Sequence, residues 1–141
     1  MSTPRHSVSV VAAVIDSQDR FLVIQRADNG QWQPPGGVLE LDEPIYAGLT
    51  REVSEETGLI VVPERLTGVY KNMSIGVVNL VFRAHVAGGT ETVSDETTQV
   101  AWWTAEQVTE RMTPAFSTRL LDALAEGPPA IRTHDGVELI D

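Results

Sequence analysis

The chain has 141 residues, of which 42% are hydrophobic and 21% charged; it carries a formal net charge of -10 and no cysteine. A length of this order suits one domain that buries its own core, and the composition excludes a disordered chain. The charge argues against nucleic acid as a partner, with no basic stripe to offset it, while the missing cysteines exclude disulfides and thiolate metal sites and fit the reducing cytoplasm.

Met1 to Ser7 contains no apolar signal core, and no apolar run anywhere approaches the roughly 20 residues of a membrane span, so neither export nor a membrane partner is expected. Ser7 to Ile15, "SVSVVAAVI", and Phe21 to Gln25, "FLVIQ", read as two strands joined by the turn "DSQDR". Ala27 to Gly37 holds three glycines and two prolines, too many breakers for a regular element, and is expected as a shaped loop. From Glu43 the apolar residues Ile45, Leu49 and Val53 recur every four positions, which predicts a helix to Thr57. Asp42 is the expected cap, Pro44 lies in the first turn, and Gly58 supplies the left-handed stop.

Beyond the helix, "LIVV", "RLTGVYK", "GVVNLVFRAHVAG" and "TTQVAWWT" predict three or four strands, divided by Pro63, "NMSI" and "GGTETVSDE". A short helix over "AEQVTERM" follows, then a second after Pro114, with Phe116, Leu120, Leu121 and Leu124 on one face. Residues 1–127 are therefore expected as a single domain. The tail, residues 128–141, reads as a loose end or as a strand that pairs with a partner, and its alternation "GVELI" allows a homodimer.

At about 3.6 residues per turn, Glu52, Glu55 and Glu56 share one helix face. The ordinary meaning of such a cluster is a solvated acidic surface, but three features point elsewhere. Carboxylates near a helix C-terminus oppose the macrodipole, a cost that a bound divalent cation removes. Gly48, one turn before Glu52, leaves room for a close approach, and "PPGG" has the freedom to aim a backbone group at the glutamates. Oxygen donors suit Mg²⁺ or Mn²⁺ rather than zinc, and His6, His85 and His134 have no zinc-ligand spacing.

Gly37, five residues, Glu43, seven residues and then "REVSEETGL" match the box of the Nudix hydrolases at every fixed position, with Val53 and Leu59 at its aliphatic places. "WQPPGG" resembles that family's approach to the box, and "DETTQVAWW" resembles its late strand, where Glu96 stands six residues before Trp102. The resemblance implies an α/β fold, an α/β/α sandwich with a mixed, partly antiparallel β-sheet. It also implies hydrolysis of the diphosphate linkage in a nucleoside diphosphate joined to another group, with Mg²⁺ or Mn²⁺ as cofactor. By the same resemblance Glu52 and Glu56 are direct metal ligands, Glu55 a ligand directly or through water, and the Gly36 carbonyl a further ligand. Arg51 orients the glutamates and with Glu43 ties the box loop to its helix, where Gly37 and Gly58 are structural. Glu96 completes the metal shell or accepts the water's proton; Glu52, Glu55 and Glu96 stand as alternatives for the base.

The chemistry of the residues agrees: a protein of this charge needs interposed cations to hold a diphosphate against carboxylates, and those cations also activate water. The proline that many ADP-ribose enzymes carry after the box and the tyrosine of dinucleoside-polyphosphate enzymes are absent from "NMSIGVV". The generic class, acting on nucleoside triphosphates or modified nucleotides, is what remains. The alternative from another class is a nucleotide sensor without turnover, which the intact set of box glutamates disfavours.

Overall fold

Val10 to Val14 are all buried, and an unbroken apolar strand of this kind needs cover on both faces. The structure, a computed structural model that describes residues 2–140, provides it; Met1 and Asp141, the outer ends of the expected domain and tail, lie outside the described residues. Strand β1 (Ser7–Val14) divides its side chains by parity between two cores. Val10, Ala12 and Val14 meet Leu49 and Val53 of helix α1 (Ile45–Thr57) on one side. Val11 and Ala13 meet Val108 of α2 (Ala105–Arg111) and Leu120 of α3 (Pro114–Leu121) on the other. The result is the α/β/α sandwich.

The remaining strands are β2 (Phe21–Arg26), β3 (Trp32–Gln33), β4 (Gly36–Val38), β5 (Leu59–Asn72), β6 (Val77–Gly89), β7 (Thr97–Trp103) and β8 (Ala130–His134). They form a five-stranded sheet in the order β4-β1-β6-β5-β8 and a three-stranded sheet in the order β3-β2-β7. In the larger sheet β1 runs parallel to β6 and antiparallel to β4, so it is mixed as expected. Trp103 is buried with Trp32 packed on it at 4.7 Å between ring centroids, while half-buried Trp102 packs on the opposite core, that of Leu49 and Val53, and donates its Nε1 hydrogen to Glu91.

Four local expectations are corrected. The stretch from Ala27 to Gly37, expected as a loop without a regular element, holds β3 and the start of β4, whereas the turn after β1 forms as expected, with Asp16 Oδ1 accepting from the amides of Gln18 and Arg20. Pro63 does not divide two strands: β5 runs through it, and a register shift between Pro63 and Arg65 absorbs the missing donor. The helix starts later than expected, with extended Pro44 at the cap position in place of Asp42 and without a side-chain cap. Glu43, expected inside the helix, instead turns its carboxylate toward Arg51.

The tail is the fourth. It is neither loose nor held out for a partner, because β8 lies parallel to β5 from Gly68 opposite Ala130 to Asn72 opposite His134. Asp122 anchors it, accepting two bonds from Arg132 of β8 and one from the Tyr70 hydroxyl of β5. The "GVELI" segment folds back on its own chain, where the Val137 carbonyl accepts from the Ala115 amide at 2.9 Å. Among the described residues no helix is long and apolar enough to cross a membrane.

Gly58 ends α1 in the left-handed conformation, with φ of 78° and its amide donating to the Ser54 carbonyl. A Cβ there would lie 2.2 Å from the Thr90 carbonyl oxygen, so both conformation and space demand glycine. Gly58→Ala is expected to cost about 2 kcal/mol or more, read as a lower urea midpoint at an unchanged m-value.

Candidate active site

The glutamate face of α1 is set by the core on its other side. With Leu49 and Val53 buried against β1, Glu52 and Glu56 turn toward β4, the strand next to β1. Glu56 Oε1 accepts from the Gly36 amide at 2.7 Å. The Glu52 carboxylate occupies the space beside Gly37, where a Cβ would lie 2.5 Å from its carbon. Gly37 thus lets the Glu52 carboxylate close on the strand edge, whereas a Cβ on Gly36 would lie 2.4 Å from the Val10 carbonyl oxygen of β1. Gly48 has a similar cause: a Cβ would come within 2.6 Å of Leu39 and 2.8 Å of the Glu43 carboxylate, so the close approach there is made by the chain itself.

Arg51 connects the acidic groups. Its Nε and Nη2 donate to the two oxygens of Glu43, while Nη1 donates to Glu52 at 3.0 Å and to Glu55 at 3.2 Å. That hydrogen-bonded fork holds the Glu43 carboxyl down to about 2 and pushes the Arg51 guanidinium up. Burial raises the Glu52 carboxyl above its ordinary range, against the charge and hydrogen bond of Arg51. Glu56 is shifted further, to about 8, by burial first and then by the charges of Glu52 and Glu96, with the Gly36 amide opposing.

Glu52, Glu56, Gly36, Gly37 and Glu96 line one cavity of about 620 Å³. Glu96 reaches it from a distant loop because its carbonyl accepts from the Ala27 amide at 2.9 Å, tying the two loops together. Glu55 does not line the cavity; it is 61% exposed and held only by Arg51. Arg51, Glu43 and Gly58 likewise stand behind the wall. The sequence reasoning missed Arg26, Asp28, Asp95 and Gln33, which complete the lining. Strand parity held a signal for Arg26, since it shares a face with Leu22, which packs on the α1 side. Arg26 forks onto Asp28, with Nε 2.9 Å from Oδ1.

Among the described residues no three acidic, histidine or cysteine groups already converge on one ion position. The donor set is nonetheless that of a hard divalent cation: oxygen atoms only, with a half-buried Glu56 carboxyl that stays protonated to about pH 8 without a counter-charge. The cavity lining therefore offers Glu52, Glu56 and Glu96 to a cation and Arg26 to an anionic ligand.

The family model described as NUDIX domain matches residues 5–124. A MutT-like protein of Streptomyces ambofaciens is 53% identical over 139 residues, spanning 99% of this chain and 90% of that protein. An ADP-ribose pyrophosphatase of Methanocaldococcus jannaschii is 33% identical over 98 residues, 64% of this chain and 58% of that one. Among solved structures, a NUDIX hydrolase from Nitrosomonas europaea matches with a TM-score of 0.74 and 26% identity, over 84% of this chain and 88% of its own.

The Glu56 shift has a measurable sign. The unfolded chain loses this proton near 4.5 and the folded chain near 8, so between those values the folded state binds the extra proton. Stability therefore falls as pH rises through that window and is fully present below it. With chelator present, Glu56→Gln and wild type are expected to melt alike near pH 4.5. They separate progressively toward pH 8, where the variant is more stable by on the order of a few kcal/mol. A difference in melting temperature that does not change with pH would contradict the burial of this carboxyl.

Proposed function

This chain belongs to the Nudix family, and from that premise we propose that it hydrolyses the diphosphate linkage of small nucleotides with the help of Mg²⁺ or Mn²⁺. One observation carries the reading: Glu52 and Glu56 from the helix and Glu96 from a remote loop share a cavity wall with Arg26. On a protein of net charge -10, carboxylates so desolvated are costly unless a cation and its anionic ligand use them. Glu52 and Glu56 would hold the metal, with Glu96 and the Gly36 carbonyl as further donors and Glu55 reaching it through water. When bound, the metal neutralises phosphate charge and lowers the pKa of the attacking water.

The chain's own groups divide the remaining work. Arg51 fixes the Glu52 carboxylate through Nη1 and immobilises the loop through Glu43. Gly37 leaves Glu52 the space it occupies. Arg26, aligned by Asp28, offers a positive group to the phosphates. For the proton of the attacking water, Glu52 and Glu96 are better situated than Glu55, which lies outside the cavity lining. The acidic surface and the missing cysteines fit free nucleotides of the cytoplasm as substrates.

Phosphate or pyrophosphate release from a panel of ADP-ribose, dinucleoside polyphosphates, dNTPs and oxidised dNTPs tests this directly. Turnover is expected with Mg²⁺ or Mn²⁺, is lost with EDTA, and falls on the order of 100-fold or more in Glu52→Gln and Glu56→Gln. Tight nucleotide binding without turnover in either metal would replace the hydrolase by a nucleotide sensor.

A further inference from the structure

Strands β2 and β7 pair without slip from Phe21 opposite Trp103 to Gln25 opposite Gln99, and then the register jumps, so that the next pair is Arg26 opposite Thr97. Thr98 is the extra residue of a β-bulge. Unbroken pairing would set Thr98 opposite Arg26, Thr97 opposite Ala27 and Glu96 opposite Asp28. With the bulge, Glu96 comes one residue nearer, and its carbonyl accepts from the Ala27 amide at 2.9 Å. The bulge thus decides that Glu96 reaches the cavity wall next to the end of β2.

A single side chain ties this bulge to the neighbouring turn. Gln25 is half-buried, and its Nε2 donates to the Gly30 carbonyl at 3.0 Å, at the far end of the turn that carries Asp28. Its Oε1 accepts twice, from Gln99 Nε2 at 2.9 Å and from the Thr98 hydroxyl at 3.2 Å. The Gly30 carbonyl can only accept, which fixes the way the amide is turned, and both lone pairs of Oε1 are then in use. The Thr98 hydroxyl also lies 3.3 Å from the Gln25 carbonyl oxygen, so it holds the bulged residue against β2. Within the turn the Gly30 amide donates to the Arg26 carbonyl, and Arg26 forks onto Asp28. None of Gln25, Gly30, Thr98 and Gln99 lines the cavity. Their network joins the turn that carries Arg26 and Asp28 to the strand end that carries Glu96.

We infer that Gln25 is a positioning residue: by clamping the β2 to β3 turn onto the bulge of β7, it holds Glu96 in place at the cavity wall. For the work that Glu96 does there, this rests on the hydrolase reading. Glu96 is fixed through its backbone, with its amide donating to Ser94 Oγ at 3.3 Å and its carbonyl accepting from Ala27. The register of β7 therefore sets where its carboxylate stands. A slip of one residue moves a strand by about 3.3 Å, whereas a metal to oxygen contact tolerates about 0.2 Å. A clamp that never touches the ligand can thus decide whether Glu96 completes the site.

Three measurements on wild type, Gln25→Met, Glu96→Gln and the double variant test this. Hydrogen exchange of the Ala27 amide, which needs neither metal nor substrate, is expected to be at least about tenfold faster in Gln25→Met. Mn²⁺ binding, followed by titration calorimetry, weakens about tenfold in the same variant, and kcat on whichever nucleotide of the panel is turned over falls by a similar factor. Added to Glu96→Gln, Gln25→Met changes the Mn²⁺ affinity by less than about twofold, because its effect runs through Glu96. Thr98→Val removes only the hydroxyl of the bulge and takes the place of the methionine variant if that one does not fold. An unchanged value in any of the three measurements, or full additivity with Glu96→Gln, would overturn the inference. A wild type that turns over no nucleotide fails the hydrolase reading, while Ala27 exchange and Mn²⁺ binding still decide the role of Gln25. Turnover in wild type with unaltered exchange and affinity in Gln25→Met does the reverse.

Discussion

The guanidinium of Arg51 is the point on which the acidic helix depends. It reaches Glu43 from the loop, Glu52 and Glu55 from its own helix, and at 3.5 Å the Val38 carbonyl of β4. Without it, the box would bring several carboxylates together with only repulsion between them. Its planar fork does more than neutralise: two parallel bonds to Glu43 fix the ring of atoms in space, and the remaining nitrogen then fixes Glu52. The late helix start follows, since Glu43 is drawn out of the first turn to meet Arg51 and Pro44 takes over the cap position.

What Arg51 orients, β1 locates. Because β1 buries both faces, α1 has one place to put Leu49 and Val53, and that placement turns the glutamates toward β4. β4 in turn is held antiparallel to β1 from Ser9 opposite Val38 to Val11 opposite Gly36. Helix and glycine strand are thus positioned by the same apolar strand, so the single bond from the Gly36 amide to Glu56 joins two elements already placed against each other. Burial on the back of the helix is what makes the exposure of charge on its front reproducible.

How much of this could be read from the sequence depended on distance along the chain. Glu52 and Glu56 were legible because helical spacing alone puts them together, and Gly58 because a helix needs a left-handed stop. Gly37 and Gly48 were legible as glycines without their reasons, which lie in side chains packed across the turn. Pro63 misled because a bulge, invisible in local propensity, lets β5 pass through it. The tail misled because its partner strand lies some sixty residues earlier, at Gly68 to Asn72. Arg26 carried only the strand parity it shares with Leu22, and the loops that make its neighbourhood come from elsewhere in the chain.

The stop at Gly58 has a further consequence. Where α1 ends, the Thr57 carbonyl accepts from the Thr92 amide and the Gly58 carbonyl from the Thr90 amide. The loop that carries Glu96 therefore hangs from the same turn that carries Glu56. The loop has a second anchor where the Glu96 carbonyl accepts from the Ala27 amide, so Glu96 is suspended between the end of the box helix and the end of β2, and the helix stop is a structural support of a carboxylate nearly forty residues further along the chain.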